Sequence, residues 1–296
     1  MIVLLTGASG YIGAVVAEKL VAAGHQVIGL ARSPEAEASL RERGLEVRPG
    51  DLLKPDGLAA AAEGVDAVIH TANTKDEKAE SADKAAVNAF LGALAGTDRP
   101  FVYTSGNLVL GNTGKQISDE DSPLNPIRFV SWRPAVEQTV VKSTSRGVAG
   151  KVIRPAWVYG RGAGYPSILV RTGRDLGHVP IIGKGDNRMT FVHVEDLADL
   201  YLLVIENAAP GPLYSGSVLP AISVHDVAVA ASKAGGAEGK TFSWPLADAV
   251  KSFGAERVEV MTCDQQISGA RAERDLAWKP GSPSVLEELA GGAYAG

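Results

Sequence analysis

Three glycines near the N-terminus carry the clearest chemical signal in the sequence. Gly7, Gly10 and Gly13 follow the apolar residues 2–5 and precede apolar residues at helical spacing, which end at Gly24. Glycines in a strand-to-helix turn let the backbone approach a pyrophosphate, and the free N–H groups of the helix start attract its charge. The pattern therefore predicts a dinucleotide site, with a tight turn that binds no ligand as the alternative.

The residues after the second predicted strand indicate which dinucleotide would bind. That strand covers residues 26–30, and Arg32 and Ser33 follow it. A carboxylate at this position would bind the ribose hydroxyls of NAD, and the sequence has none there. The arginine fork suits a 2′-phosphate, and the serine can add a hydroxyl donor. We therefore predict NADP(H), with NAD(H) less favoured, unless Arg32 is only a solvated charge.

Strand and helix signals alternate through the first half of the chain. Strands are expected at residues 26–30, 45–48, 66–70, 100–105 and 151–154, and helices at 35–43, 58–62, 76–95 and 130–146. This alternation predicts an α/β fold, a doubly wound parallel Rossmann sheet with right-handed crossovers.

The pattern loosens after Pro155, where residues 160–166 and 183–187 indicate turn-rich loops. We expect residues 1–160, with returning segments at about 187–215, to form the dinucleotide-binding domain. Residues 161–296 are expected mainly to form a small C-terminal substrate cap. Ligands of open α/β sheets bind outside the carboxyl ends of the strands.

Composition excludes several classes of protein. The chain has 296 residues and a net charge of −5, without a basic cluster, which argues against nucleic acid as a partner. Its one cysteine, Cys263, excludes an internal disulfide and a thiolate metal site. We expect no metal, no membrane span and no signal peptide, and hence a cytoplasmic protein with a small-molecule substrate. Alanines at 79–95 would permit close helix packing in a homodimer, and packing of the same residues against the chain's own sheet is the alternative.

Blocks of sequence between residues 1 and 280 fit one known family. They are Thr6-Gly-Ala-Ser-Gly-Tyr-Ile-Gly13, Gly50-Asp-Leu52, Asp66-Ala-Val-Ile-His-Thr-Ala72, Val87-Asn88, Arg154-Pro-Ala-Trp-Val-Tyr-Gly160 and Phe191-Val-His-Val-Glu-Asp-Leu-Ala198. Together they resemble the extended short-chain dehydrogenase/reductases, which include nucleotide-sugar epimerases and dehydratases. The resemblance, with the residues above, implies the following cofactor-binding set: Gly7, Ser9, Gly10, Tyr11, Ile12, Gly13, Arg32, Ser33, Asp51, Leu52, Thr71, Ala72, Thr104, Arg133, Pro155 and Val158.

The catalytic residues depart from that family's pattern. Such enzymes use a Ser or Thr after the fifth strand and a Tyr-x-x-x-Lys pair on the next long helix, where the tyrosine exchanges a proton as hydride moves. The best register places Gly106 at the Ser/Thr position, Phe129 at the tyrosine and Arg133 at the lysine. A shift of one turn offers Trp132 instead. Phenylalanine donates no proton, and arginine keeps the charge without relaying one.

Five other side chains are candidates to replace the missing acid. We expect Tyr103 to lie in the core, and Tyr159 and His193 to have structural roles. Ser105 follows the fifth strand, and Tyr165 lies in a glycine-rich loop expected to be exposed. Our predicted catalytic residues are therefore Ser105, Arg133 and Tyr165.

These features predict an atypical NADP(H)-dependent oxidoreductase that acts on a small carbonyl or imine-type substrate and lacks the Tyr-x-x-x-Lys pair. A protein that binds NADP(H) as a redox sensor without turnover is one alternative. An epimerase or lyase that retains its cofactor is another. Substrate preference is expected to reside in the loops at 107–128 and 160–190.

Overall fold

The computed structural model describes residues 1–74, 76–291 and 294. The chain divides into two compact units. The first unit comprises Met1–Ser105, Trp132–Arg154 and Ala198–Tyr214, and the second comprises Gly106–Ser131, Pro155–Leu197 and Ser215–Gly296.

Strands and helices alternate along the described chain. The strands are β1 Ile2–Thr6, β2 Gln26–Ala31, β3 Glu46–Pro49, β4 Ala67–His70, β5 Pro100–Thr104, β6 Ala149–Pro155, β7 Trp157–Gly160, β8 Ala163–Gly164, β9 Val179–Ile182, β10 Arg188–His193, β11 Leu213–Gly216, β12 Val218–Ser223 and β13 Thr241–Trp244. The α-helices are α1 Tyr11–Ala22, α2 Pro34–Glu42, α3 Asp56–Ala61, α4 Ala79–Ala93, α5 Arg133–Lys142, α6 Tyr165–Leu176, α7 Val194–Asn207, α8 Val224–Ala234, α9 Leu246–Phe253, α10 Ala255–Thr262, α11 Ala270–Leu276 and α12 Val285–Gly291. Short 3₁₀ helices cover Asn107–Leu110, Arg128–Val130 and Ser143–Arg146.

A seven-stranded sheet organises the first unit. Its strand order is β11-β6-β5-β4-β1-β2-β3, and the five pairings from β6 to β3 are parallel. The order reverses at β1, which lies between β2 and β4. Such a switch point opens a crevice outside the carboxyl ends of the strands. The predicted doubly wound α/β fold is confirmed.

The apolar runs of the sequence explain the central strands. Val3, Leu4 and Leu5 are fully buried, as expected for a strand covered by helices on both faces. Phe90 of α4 packs against Phe101 of β5 in the same core, with ring centroids 6.1 Å apart. Burial of each such side chain stabilises the fold by about 1.5–3 kcal/mol. This packing fixes the positions of the strand ends within the first unit.

The second unit contains two smaller sheets. One has the order β12-β10-β7-β8, in which β10 is parallel to β7 and antiparallel to β12. The other pairs β13 with β9 in parallel. A core around Tyr159, Phe191 and Val227 joins the larger sheet to helix α8.

Two predicted elements differ from the observed ones. The helix expected at 130–146 begins at Arg133, because Pro134 suits a first turn, and it changes to 3₁₀ geometry at Ser143. The loop expected at 160–166 was wrong. Gly160 (φ 109°) and Gly164 (φ 79°) supply a hairpin between β7 and β8, and α6 begins at once. None of the described helices has the length and apolar character needed to span a membrane.

Candidate functional site

The turn after β1 accepts only glycine at two positions. Gly7 has a φ of 73°, and a Cβ atom there would lie 2.8 Å from Oγ1 of Thr71. A Cβ at Gly13 would lie 2.2 Å from the carbonyl oxygen of Gly7. The Gly10 N–H donates to the same carbonyl at 2.8 Å. The glycines therefore bring the start of α1 against the end of β4.

The start of α1 is open to an anion. Gly10 is its N-cap and provides no side-chain cap, and the first turn contains no acidic residue. The first N–H groups of a helix lack acceptors within the helix, and its dipole is positive at this end. Ser9 and Gly10 are exposed beside it. This cradle fits a phosphate group, as the glycine spacing predicts.

A buried series of hydrogen bonds links the residues next to this cradle to the neighbouring elements. Thr6 Oγ1 accepts from the Ala72 N–H at 3.2 Å and lies 2.7 Å from His70 Nδ1. His70 Nε2 lies 3.2 Å from Asp83 Oδ1, and the Tyr103 hydroxyl donates to Asp83 Oδ2 at 2.6 Å. An ionised Asp83 and a neutral His70 with its proton on Nε2 give every member a partner. This series of hydrogen bonds joins the turn after β1 to β4, α4 and β5.

Tyr103, the last member of this series of hydrogen bonds, is fully buried in the core, as expected. Burial raises its pKa well above the usual value, and the charge of Asp83 adds to that effect against the opposing influence of Arg133. Asp83 was missed by sequence reasoning. Its signal was a single acidic residue on the apolar face of α4, between the buried residues Ala82 and Ala86.

The end of β2 presents a free cation. Arg32 follows β2 directly and is exposed, and it makes no hydrogen bond or ion pair with any described residue. Ser33 Oγ caps α2 by accepting from the Ala36 N–H at 3.3 Å. Glu35 is also near, and its hydrogen bond with Ser33 lowers the pKa of that exposed carboxyl.

Asp51 and Leu52 lie in the turn after β3. Oδ1 of Asp51 accepts from the Leu53 N–H at 3.0 Å, so this carboxylate partly serves its own turn. Leu52 is buried and belongs to the same core cluster as Leu30 of β2. Thr71 donates its hydroxyl to the Thr6 carbonyl at 2.7 Å, beside Ala72.

Arg133 lies at the carboxyl end of β5. Its Nη1 donates to the Thr104 carbonyl at 3.0 Å, and its guanidinium lies 5.0 Å from the centroid of the Trp132 ring. Its buried Nε has no described partner. The Thr104 hydroxyl bonds to the hydroxyl of Tyr201 at 2.6 Å. A permanent positive charge is therefore held at the strand end.

Ser105 follows Thr104 and is 8% exposed. Its N–H donates to the Ile153 carbonyl at 2.8 Å, while its hydroxyl is buried with no described partner. A hydroxyl in this state is poised to bond a ligand group. The structure brings Ser105 and Arg133 to the same end of β5.

Tyr165 differs from its predicted setting. It is the first residue of α6 rather than part of an exposed loop, and its ring packs on Trp157 with centroids 4.8 Å apart. Burial raises the pKa of Tyr165 to about 12. Its hydroxyl therefore stays protonated at neutral pH and can only donate or accept a hydrogen bond.

The other aromatic candidates of the second unit have structural contacts. The Tyr159 hydroxyl donates to the Pro283 carbonyl at 2.7 Å, and its ring lies edge-on to His193. His193 Nδ1 accepts from the Glu195 N–H, and its Nε2 lies 3.2 Å from Glu288 Oε1. These two side chains thus stabilise the unit, as expected from the sequence.

Other predicted positions lie on two elements. Pro155 ends β6, and Val158 of β7 pairs in register with Val192 of β10. Phe129, predicted to occupy the family's tyrosine position, is 58% exposed on a 3₁₀ helix.

Cys263 is buried, and burial raises the pKa of its thiol to about 12, which makes it unreactive. The described residues contain no group of side chains able to hold a metal ion.

The chain belongs to the NAD dependent epimerase/dehydratase family, whose family model matches residues 3–215. It is 31% identical over 308 residues to an uncharacterized protein of Schizosaccharomyces pombe, across 99% of this chain and all of that one. It is 28% identical to vestitone reductase of Medicago sativa, across 73% of this chain and 76% of the relative.

A solved structure of UDP-glucose 4-epimerase from Thermus thermophilus, in complex with NAD, superposes with a TM-score of 0.79. It covers 98% of this chain and 97% of the other at 18% identity, which shows the fold alone. The predicted relationship to extended short-chain dehydrogenase/reductases is confirmed.

Proposed function

We propose that this protein is an NADP(H)-dependent oxidoreductase that transfers hydride to or from a small carbonyl or imine-type substrate, without a Tyr-x-x-x-Lys pair. The observation that carries the proposal is the free Arg32 at the end of β2, beside an anion cradle built from three glycines. The match to vestitone reductase, which covers 73% of this chain, supports the reductive direction of the proposed reaction.

The proposed cofactor contacts follow the strand ends. The start of α1, with Ser9, Tyr11 and Ile12, holds the pyrophosphate, and Arg32 binds the 2′-phosphate with Ser33 beside it. Further contacts come from residues at the ends of other strands, namely Asp51, Leu52, Thr71, Ala72, Thr104, Pro155 and Val158.

Arg133 has a defined part in this mechanism. The bound nicotinamide supplies or accepts the hydride. Arg133, fixed by the Thr104 carbonyl, binds the nearby ribose hydroxyls and contributes a positive charge. Because arginine cannot relay a proton, the proton of the reaction comes from water or from the substrate. Ser105 and Tyr165 are the proposed substrate contacts.

The test of this proposal measures cofactor affinity and turnover. Arg32→Ala should weaken NADPH binding roughly 10- to 100-fold, because a charge-assisted hydrogen bond contributes about 1.5–3 kcal/mol, and should leave NADH binding unchanged. Calorimetric titration measures both affinities, and oxidation of NADPH with a panel of aldehydes, ketones and imines measures turnover.

Arg41→Ala is the matched control, because Arg41 is an exposed arginine of α2 that pairs with Glu37. Equal loss of NADPH affinity in both variants would contradict the role of Arg32. Tight NADPH binding without oxidation across the whole panel would support a sensor, and product formation without net change in nicotinamide absorbance would support an epimerase or lyase.

We also propose that the chain forms a homodimer through α4 and α5. Exposed residues of the two helices line one groove, and several are small or polar. They are Lys84, Asn88, Ala135 and Thr139, above the buried Val87 and Val136.

A further inference from the structure

Asn107 is a buried amide whose hydrogen-bonding capacity is unused. It begins the 3₁₀ helix Asn107–Leu110, three residues after β5 ends, and is 3% exposed. Neither its Nδ2 nor its Oδ1 has a hydrogen-bond partner in the described part of the chain. A side-chain amide offers two N–H donors and an acceptor oxygen. Both functions of this one are therefore available to a ligand.

The backbone around Asn107 is held firmly. Gln265 Nε2 donates to the carbonyl oxygens of Asn107 and Gly111, both at 2.9 Å. Gln265 is itself 3% exposed, and its N–H donates to the Arg188 carbonyl at 2.9 Å. Both ends of the 3₁₀ helix are thus held by one buried side chain, which fixes the backbone from which the Asn107 side chain extends.

Apolar neighbours on this helix offer Asn107 no substitute partner. Val109 and Leu110 belong to a buried cluster with Ile127 and Ile267. Native proteins seldom leave a buried polar group unpaired, and those that do usually have a functional reason. An amide with two unmet functions, on a clamped backbone just after a central strand, points to a ligand.

We propose that Asn107 is the catalytic residue that polarises the substrate, donating its side-chain N–H to the carbonyl oxygen of a carbonyl compound that carries a neighbouring hydroxyl. The assignment rests on the proposed reductase function. The Oδ1 atom accepts from the neighbouring hydroxyl, so both functions of the amide are satisfied at once.

The step balances without a protein acid. Hydride adds to the carbonyl carbon with oxidation of NADPH to NADP⁺, and the electron pair of the C=O bond moves to oxygen. The Nδ2–H bond strengthens as negative charge grows on that oxygen, which stabilises the transition state more than the ground state. Water then protonates the alkoxide to the alcohol.

The experiment uses Asn107→Leu in the full chain, because leucine has the same branched shape and number of side-chain heavy atoms and has no polar atom. At saturating NADPH, we expect turnover of a 2-hydroxy ketone probe to fall about 100-fold, as for loss of one oxyanion donor. We expect the wild-type protein to prefer hydroxyacetone over acetone, and we expect the variant to lose this preference. NADPH affinity should be unchanged, and the melting temperature should be equal or higher, because an unpartnered amide has been removed.

Ser217→Ala is the control, because Ser217 is another buried hydroxyl without a described partner and is expected to leave turnover unchanged. Turnover of Asn107→Leu within threefold of wild type would overturn the Asn107 assignment alone. A melting temperature lowered by many degrees would also overturn it, since the amide would then have a structural partner. A wild-type protein that binds NADPH yet reduces no carbonyl compound would overturn the proposed function, and the assignment with it.

Discussion

Lys151 shows how a single residue's environment sets its chemistry. It lies in β6, is 3% exposed, and donates its ammonium to the Val204 carbonyl at 2.9 Å. Burial lowers the pKa of Lys151 to about 8. No acidic residue in the described part of the chain pairs with Lys151, so the charged form is destabilised in the folded protein.

The stability of the protein should therefore depend on pH through Lys151. Below about pH 8 the folded state carries the buried charge, at a cost of about 3 kcal/mol by the size of the pKa shift. Between pH 8 and about 10.5 the unfolded chain binds the extra proton, so the contribution of Lys151 to the free energy of unfolding becomes less unfavourable as pH rises.

Lys151→Met should raise the free energy of unfolding by about 1–3 kcal/mol at pH 6, and this gain should shrink towards pH 10. Urea unfolding of both proteins at four pH values measures the difference, with Lys142→Met of α5 as the control. A gain that grows with pH would contradict the assignment.

At the residue scale, the sequence predicted which residue types occupy the site but not their hydrogen-bond partners. The absence of a carboxylate after β2 can be read from the letters alone, and the letters also predict Phe129 at the position of the family's tyrosine. The bond from Arg133 to the Thr104 carbonyl cannot, because it depends on where α5 begins relative to β5. The setting of Tyr165 was predicted wrongly for the same kind of reason, since glycines of positive φ serve hairpins as well as loops.

At the scale of elements, the glycine turn couples β1, α1 and β4. A Cβ at Gly13 would lie 2.2 Å from the Gly7 carbonyl oxygen, so any side chain there moves backbone against backbone. Because the clash is with backbone atoms, rotation of a side chain cannot relieve it. Its geometry is therefore both a packing requirement and the support of the anion cradle.

Gly13→Ala should lower stability by about 1–3 kcal/mol, as expected for overpacking, and should abolish detectable dinucleotide binding. Gly92→Ala is the control, because Gly92 lies in α4 with open space around it and should gain about 0.5–1 kcal/mol. Thermal unfolding and NADPH titration measure both effects. Retained affinity in Gly13→Ala would show that the turn does not hold the cofactor.

At the scale of the whole molecule, assembly decides which surfaces remain exposed. Small side chains on α4 and α5 would let the same two helices of a second copy approach closely. Ala135 is exposed and lines the groove between these helices. A bulky charge at this position would separate two copies without disturbing the core of either.

Sedimentation should show a species of twice the 30.7 kDa chain mass for the wild-type protein. Ala135→Arg should convert it to single chains, since a specific interface tolerates no buried unpaired charge at its centre. Ser39→Arg, at an exposed position of α2, is the control and should sediment as wild type. Single chains in the wild-type sample would refute the proposed dimer.

The sequence alone determined the order of strands and helices, the glycine turn and the charge at Arg32, because each depends on residues close together in the chain. Apolar runs, glycine spacing and turn residues act over a few positions. Only the tertiary structure joined Thr6, His70, Asp83 and Tyr103, which the four crossovers between β1 and β5 bring into one buried hydrogen-bond network. It also left the side-chain amide of Asn107 without a partner among the described residues, while the bond to its backbone carbonyl comes from Gln265, 158 residues away.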